Sequence, residues 1–166
     1  MKTSINELNA DIFQSQSQDK YLDPKSARKK AMDFLAIREY GQKELIVKLQ
    51  ARGFSPDISL QVVENLTKDG LQNDTRFVEN FCRSRVKQGK GPLKITQELE
   101  EKKLPSTVIY SVLDEMNVDW IQLAIEVRAK KFGSKYPNEF KEKAKQMRFL
   151  QSRGFENQHI RKAVKD

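Results

Sequence analysis

Leu49-Gln50-Ala51-Arg52-Gly53-Phe54 returns 101 residues later as Leu150-Gln151-Ser152-Arg153-Gly154-Phe155. Half of that offset leads to Leu99-Glu100-Glu101-Lys102-Lys103-Leu104, a weaker middle copy. A helix-start signal follows each copy: Ser55-Pro56-Asp57, Pro105-Ser106-Thr107 and Glu156-Asn157. Near-equal spacing of three such hexamers, in the same helical surroundings, points to a tandem array rather than to one irregular domain.

Working outward, each repeat parses as three helices. In the first, Ala27, Ala31, Phe34 and Leu35 follow helical spacing up to about Glu39. Gly41 restarts the chain as an N-cap, with Glu44 reaching back from N3 and Tyr40 stapling onto Leu45. Leu45 and Leu49 form the apolar stripe of the second helix, and Gly53 ends it in the left-handed conformation. Ser55 caps the third helix with Pro56 at N1; Ile58, Val62, Val63 and Leu66 are its inner face, and Gly70 stops it.

The second repeat opens with Asp74 as cap, carries Phe77, Phe81 and Val86 inward, and stops at Gly89. Gly91-Pro92 opens its next helix, with Ile95 and Leu99 inward. Ser106 is the expected cap of the third, whose apolar side is Val108, Ile109, Val112, Leu113 and Met116. In the last repeat Asp119 caps a helix with Trp120, Ala124 and Val127. A longer connection with Pro137 follows, then Phe140, Ala144, Met147 and Leu150, then Ile160, Ala163 and Val164.

No segment alternates apolar and polar residues long enough for a strand. The expected class is therefore all-α, with modules over 25–72, 73–118 and 119–166. Residues 1–24 are polar, Gln/Ser-rich and weakly periodic, and read as a flexible N-terminal tail or one weak helix. Hinges are expected near 71–74 and 117–119, where caps interrupt the packing.

Composition agrees with a thin, surface-rich helical protein. Hydrophobic residues are 37% and charged residues 33%, lean for one compact core. Lys and Arg number 31 against 23 Asp and Glu, a net charge of +8. That balance suits a polyanion or an acidic protein surface. The single Cys82 excludes an internal disulfide. The opening residues have no apolar core for a signal peptide, and no stretch approaches a membrane span, so a cytoplasmic protein is expected.

Catalysis is not expected, nor a cofactor. One Cys and one His, His159, cannot build a zinc site of Cys/His type, and His159 reads as a surface residue. Glu98, Glu100 and Glu101 read as a solvated face paired with Lys102 and Lys103. Gly89-Lys90-Gly91-Pro92 lacks the glycine spacing and terminal Lys-Ser/Thr of a phosphate loop, and reads as a turn between helices.

Binding is a different matter, because the cations cluster. Arg28, Lys29 and Lys30 lie on the first helix; Arg76, Arg83, Arg85, Lys87, Lys90 and Lys94 crowd the middle module. Arg128, Lys130, Lys131, Lys135, Lys141, Lys143, Lys145 and Arg148 crowd the third. Together they suggest a basic stripe along several modules. Sequence-specific DNA reading is poorly supported, since the third helices offer Gln61, Glu64, Asn65 and Lys68 in the first module and Tyr110, Ser111, Asp114 and Glu115 in the second, not an Arg/Asn/Gln-rich face. Stacking platforms for bases are thin as well.

Asp74-Thr75-Arg76-Phe77-Val78, Arg85, Gly89-Lys90-Gly91-Pro92, Ile95 and Glu98-Leu99 resemble the central motif of the RecX family. So do Glu44-Leu45, Leu49, Arg52-Gly53-Phe54 and Gly70-Leu71, and, near the end, Lys143-Ala144-Lys145-Gln146, Arg148-Phe149-Leu150, Arg153-Gly154-Phe155 and Ile160. The likeness spans about residues 25–166. Two positions depart from the pattern. Gly41 replaces the usual Ser cap, and Lys103 replaces the usual Gly, where a left-handed conformation costs about 1 kcal/mol.

The resemblance implies an elongated, curved array of three three-helix modules that binds in the groove of the RecA–single-stranded-DNA filament. It implies restraint of filament extension, ATP hydrolysis, strand exchange and the coprotease activity behind the SOS response. Expected partners are RecA and single-stranded DNA, direct or through RecA, with double-stranded DNA as a further one. The chain is expected to act as a monomer away from membranes. The expected contact residues are Arg28, Lys29, Arg76, Arg83, Arg85, Lys87, Lys90, Lys94, Lys131, Lys143 and Arg148, with Arg76, Arg85, Lys87 and Lys90 foremost. Read from the residues alone, a RecA-independent DNA-binding protein or a helical interaction scaffold stays open beside this.

Overall fold

A computed structural model describes residues 21–165, and every regular element among them is helical. Three helices form the first module: α1 (Pro24–Ile37), α2 (Gln42–Gln50) and α3 (Pro56–Lys68). The second has α4 (Asp74–Lys87), α5 (Pro92–Glu101) and α6 (Ser106–Glu115). The third has α7 (Trp120–Phe132), α8 (Phe140–Ser152) and α9 (Asn157–Val164). None of these is long and apolar enough to cross a membrane. The chain is thus all-α, built from three tandem three-helix modules. Residues 1–20 of the expected tail lie outside the described residues; Tyr21 packs edge-on against Phe54, and the Asp23 carboxylate caps α1 by accepting from Lys25 N and Ser26 N.

The repeated hexamer folds the same way three times. Backbone N–H groups of Phe54, Leu104 and Phe155 donate to the carbonyls of Leu49, Leu99 and Leu150 at 3.2–3.3 Å. Those of Gly53, Lys103 and Gly154 donate to Gln50, Glu100 and Gln151 at 2.9 Å. This is the paired-bond ending that satisfies two orphan carbonyls of a helix. It needs a left-handed residue, supplied by Gly53 (φ 96°), Lys103 (φ 63°) and Gly154 (φ 89°). The apolar residue after it, Phe54, Leu104 or Phe155, is buried each time.

The next helix begins on the residue after that in all three copies: the N-caps are Ser55, Pro105 and Glu156. Ser106 is therefore not the cap of α6 but its first residue; Val108 N and Ile109 N bond to the Pro105 carbonyl instead. Asp74 is likewise the first residue of α4, and its Oδ1 accepts from Gln42 N at 2.8 Å. That contact covers the N-terminus of α2, where Gly41 has no side chain to offer, while Glu44 turns to Arg38 at 2.7 Å. Buried Gln72 joins the same network, donating to the Tyr40 carbonyl and to Asp74.

Three further expectations fail. Phe140 is 87% exposed rather than inward. Counting 4-3-3 back from Leu150 covers ten residues, about 80° short of three full turns, so Phe140 rotates off the face that buries Gln146 and Leu150. His159 is buried, not on the surface: its Nδ1 accepts the Glu156 N–H at 3.2 Å, completing a capping box with the Glu156 carboxylate. Arg128 is 1% exposed, stacked on Tyr136 and donating to the carbonyls of Lys135 and Ser134, which removes it from the basic surface.

The chain divides into two compact units, one ending at Asp74 and the other running from Thr75. The second and third modules are joined by main chain. Gly91 N donates to the Arg153 carbonyl at 2.8 Å and Leu93 N to the Gly154 carbonyl at 3.0 Å. The carbonyls of the turn that ends α8 thereby satisfy N–H groups at the start of α5 that have no partner within their own helix. A Cβ on Gly91 would stand 2.3 Å from the Gly154 oxygen, so only glycine allows this approach.

Candidate functional site

The geometry of α4 follows from its sequence. Phe77, Val78 and Cys82 are buried, so the opposite face carries Arg76, Asn80, Arg83 and Lys87 at i, i+4, i+7 and i+11. Arg83 and Lys87 are exposed and Arg76 is half-buried. Burial pushes the Cys82 thiol up to about 11, so it carries no thiolate chemistry at neutral pH.

Arg85 and Lys90 point elsewhere. Both hold Glu98, Arg85 Nε at 2.6 Å from Oε2 and Lys90 Nζ at 2.5 Å from Oε1. Glu98 is therefore not part of a face paired with Lys102 and Lys103; it ties the turn after α4 to the middle of α5. Partial burial pulls its carboxyl up, but the hydrogen bonds from Lys90 and Arg85 outweigh that and hold it below its ordinary value. Arg85 also lies 4.2 Å over the Phe81 ring. Lys94 is half-buried, its Cβ against the Gly154 backbone.

Beside the α4 stripe opens a groove of about 600 Å³ within the second unit. Lys87, Lys130, Lys131 and Arg153 rim it, over a floor of Val86, Leu123, Val127 and Phe149. Glu126 is the one acid in its wall. Arg153 is fixed there by donating to the carbonyls of Gly89 and Gln88. Further along the third module Arg148 is exposed, and Lys143 Nζ donates to the Lys165 carbonyl at 3.4 Å.

In the first unit, Lys29, Lys30 and Arg52 gather around a smaller depression of about 420 Å³ with Tyr21 and Phe54. Arg28 sits apart, paired with Asp69 at 2.8 Å. That pair is about half exposed, so it contributes on the order of 0–1 kcal/mol to stability.

The structure thus brings Lys87 and Lys131 together, aligns Arg76 and Arg83 with Lys87, and commits Arg85 and Lys90 to an internal ion pair. Sequence reasoning passed over Arg52 and Arg153 as contact residues. Their signal was the repeat itself, because both occupy the residue before the left-handed turn. Among the described residues, no group of three or more His, Cys, Asp or Glu side chains stands close enough to hold a metal ion.

Comparison with known proteins gives this geometry its family. Residues 27–66, 73–113 and 118–164 match, in order, the first, second and third three-helix domains of RecX. Halorhodospira halophila has a protein named Regulatory protein RecX that is 40% identical over 139 residues, 84% of this chain and 86% of that one. A Legionella pneumophila protein of the same name is 40% identical over 82% of this chain and 91% of its own length. Among solved structures, a crystal structure of regulatory protein RecX has a TM-score of 0.74 at 20% identity, covering 100% of this chain and 81% of the other. That of RecX from Lactobacillus salivarius has a TM-score of 0.73 at 18% identity, covering 86% and 94%. The structural likenesses establish the fold; the matching three-helix domains and the sequence identities establish that the chain belongs to the RecX family of regulatory proteins.

Proposed function

We propose that this protein regulates RecA recombinase by binding RecA and its single-stranded-DNA filament. In doing so it restrains filament extension, ATP hydrolysis, strand exchange and coprotease activity. The observation that carries the reading is the cationic stripe of α4 with the Lys87–Lys130–Lys131 groove beside it, on a member of a family of regulators. Lysines and arginines laid along a surface neutralise successive phosphates or carboxylates and release their counterions, which gives affinity without base readout. Arg83, Lys87 and Lys131 make the contacts, with Arg76, Lys94, Lys143 and Arg148 flanking them, and Arg28 and Lys29 serve the first module. Arg85 and Lys90 act one step back, by fixing the turn that carries the groove. No bond is made or broken by the protein; it acts by occupancy, as a cytoplasmic monomer.

The test is RecA's single-stranded-DNA-dependent ATP hydrolysis with this protein titrated far below the RecA concentration. Strong inhibition at sub-stoichiometric amounts is the expected result. Inhibition only when the protein coats all the DNA would turn the reading into one of RecA-independent DNA binding.

A further inference from the structure

The outer faces of α5 and α6 bound a groove of about 830 Å³ whose chemistry is opposite to the rest of this basic chain. α5 contributes Leu93 and Glu100, α6 contributes Tyr110 and Asp114, and Trp120 at the start of α7 and Glu156 at the cap of α9 complete it. Leu93 is 56% and Tyr110 58% exposed, and Trp120 is half-buried, so an aromatic and aliphatic surface faces solvent. No Lys or Arg lines the groove, and neither Glu100 nor Asp114 pairs with a cation among the described residues. Its charge is therefore negative in a chain of net charge +8.

Phosphate is repelled by such a surface, so the groove takes neither DNA nor an anionic membrane. Two neighbouring helices with an apolar floor and charged edges form the receptor for the apolar side of a third helix. Tyrosine and tryptophan supply large contact area at low entropic cost, and carboxylates at the edges select cations beside the apolar anchors. We propose that this groove docks a basic, apolar-anchored helical segment of a protein partner. The protein then presents two faces of opposite sign, a cationic one for polyanions and an anionic one for a protein. This inference does not depend on the RecA reading, since it concerns other residues and a probe free of RecA and DNA.

Trp120 is the chain's one tryptophan and lines the groove, so its fluorescence reports occupancy. The full chain is titrated with a synthetic amphipathic peptide that carries leucines at i, i+4 and i+7, flanked by arginines. A saturable change in emission is expected, absent with a glutamate-flanked control peptide. The Glu100→Lys/Asp114→Lys variant, changed only at exposed positions, weakens binding about tenfold or more with an unaltered melting curve. Leu93→Ser, which keeps the charge, weakens it as well. Equal binding by the charge-reversed variant, or no binding by the parent, overturns the proposal. So does sedimentation showing a dimer that the same variant dissociates, because a second copy is then the occupant.

Discussion

Glu98 shows how a single residue can look like surface charge and act as a structural tie. It accepts from Arg85 and Lys90 at once, and all three side chains are at most a quarter exposed. Glu98→Gln leaves two half-buried cations without a counter-charge, at about 1–2 kcal/mol in urea denaturation at pH 7. The folded carboxyl titrates below its ordinary 4.5, so its contribution is whole above that value and is lost as pH falls through the lowered one. The gap between parent and variant should therefore close in denaturation curves at strongly acid pH, and a gap independent of pH would contradict the ion-pair account. His159 is a second such residue. His159→Ala removes the acceptor of the Glu156 N–H and should cost about 1 kcal/mol, whereas His159→Gln keeps an acceptor at N3 and should recover most of it.

At the scale of the element, the left-handed turn and the cap two residues later form one device used three times. Lys103 bears its strain. Lys103→Gly relieves roughly 1 kcal/mol of left-handed cost, offset in part by the greater freedom of glycine in the unfolded chain. The net should be a small rise in the urea midpoint at constant slope; a fall would mean that the lysine side chain contributes more than its backbone loses. This device was legible in the sequence because the hexamers repeat, and so were the apolar stripes of Leu45/Leu49 and Ile95/Leu99. Ser106 misled because its chemistry suits a cap, while the register set by the turn gives that position to Pro105. Phe140 and Arg128 misled for a related reason: spacing and charge are properties of one helix, but burial depends on what lies opposite. The junction through Gly91 and Gly154 was illegible, since it joins residues far apart in sequence through main-chain atoms. Gly91→Ala would drive a methyl into the Gly154 carbonyl and should destabilise the second unit by about 2–4 kcal/mol, read by thermal denaturation.

On the scale of the whole molecule, the question is which part of a net charge of +8 does the binding. Cations that neutralise buried or half-buried partners cannot also meet a polyanion without giving those partners up. Arg85 and Lys90 are of that kind, and Arg128 is buried altogether. Arg83 and Lys87 differ, because they are exposed and share the outer face of α4. Arg83→Glu/Lys87→Glu should melt like the parent, as exposed substitutions usually do. It should bind RecA-coated single-stranded DNA about tenfold or more weakly at low salt, with the gap narrowing as salt screens both proteins. Arg85→Glu should show the reverse order of effects, losing stability first by placing two carboxylates in one ion-pair site. If the doubly reversed variant inhibits RecA's ATP hydrolysis at the parent's concentrations, the α4 stripe is not the contact surface. The binding charge would then have to be sought among Lys130, Lys131 and Arg148 of the third module, or Lys29, Lys30 and Arg52 of the first unit.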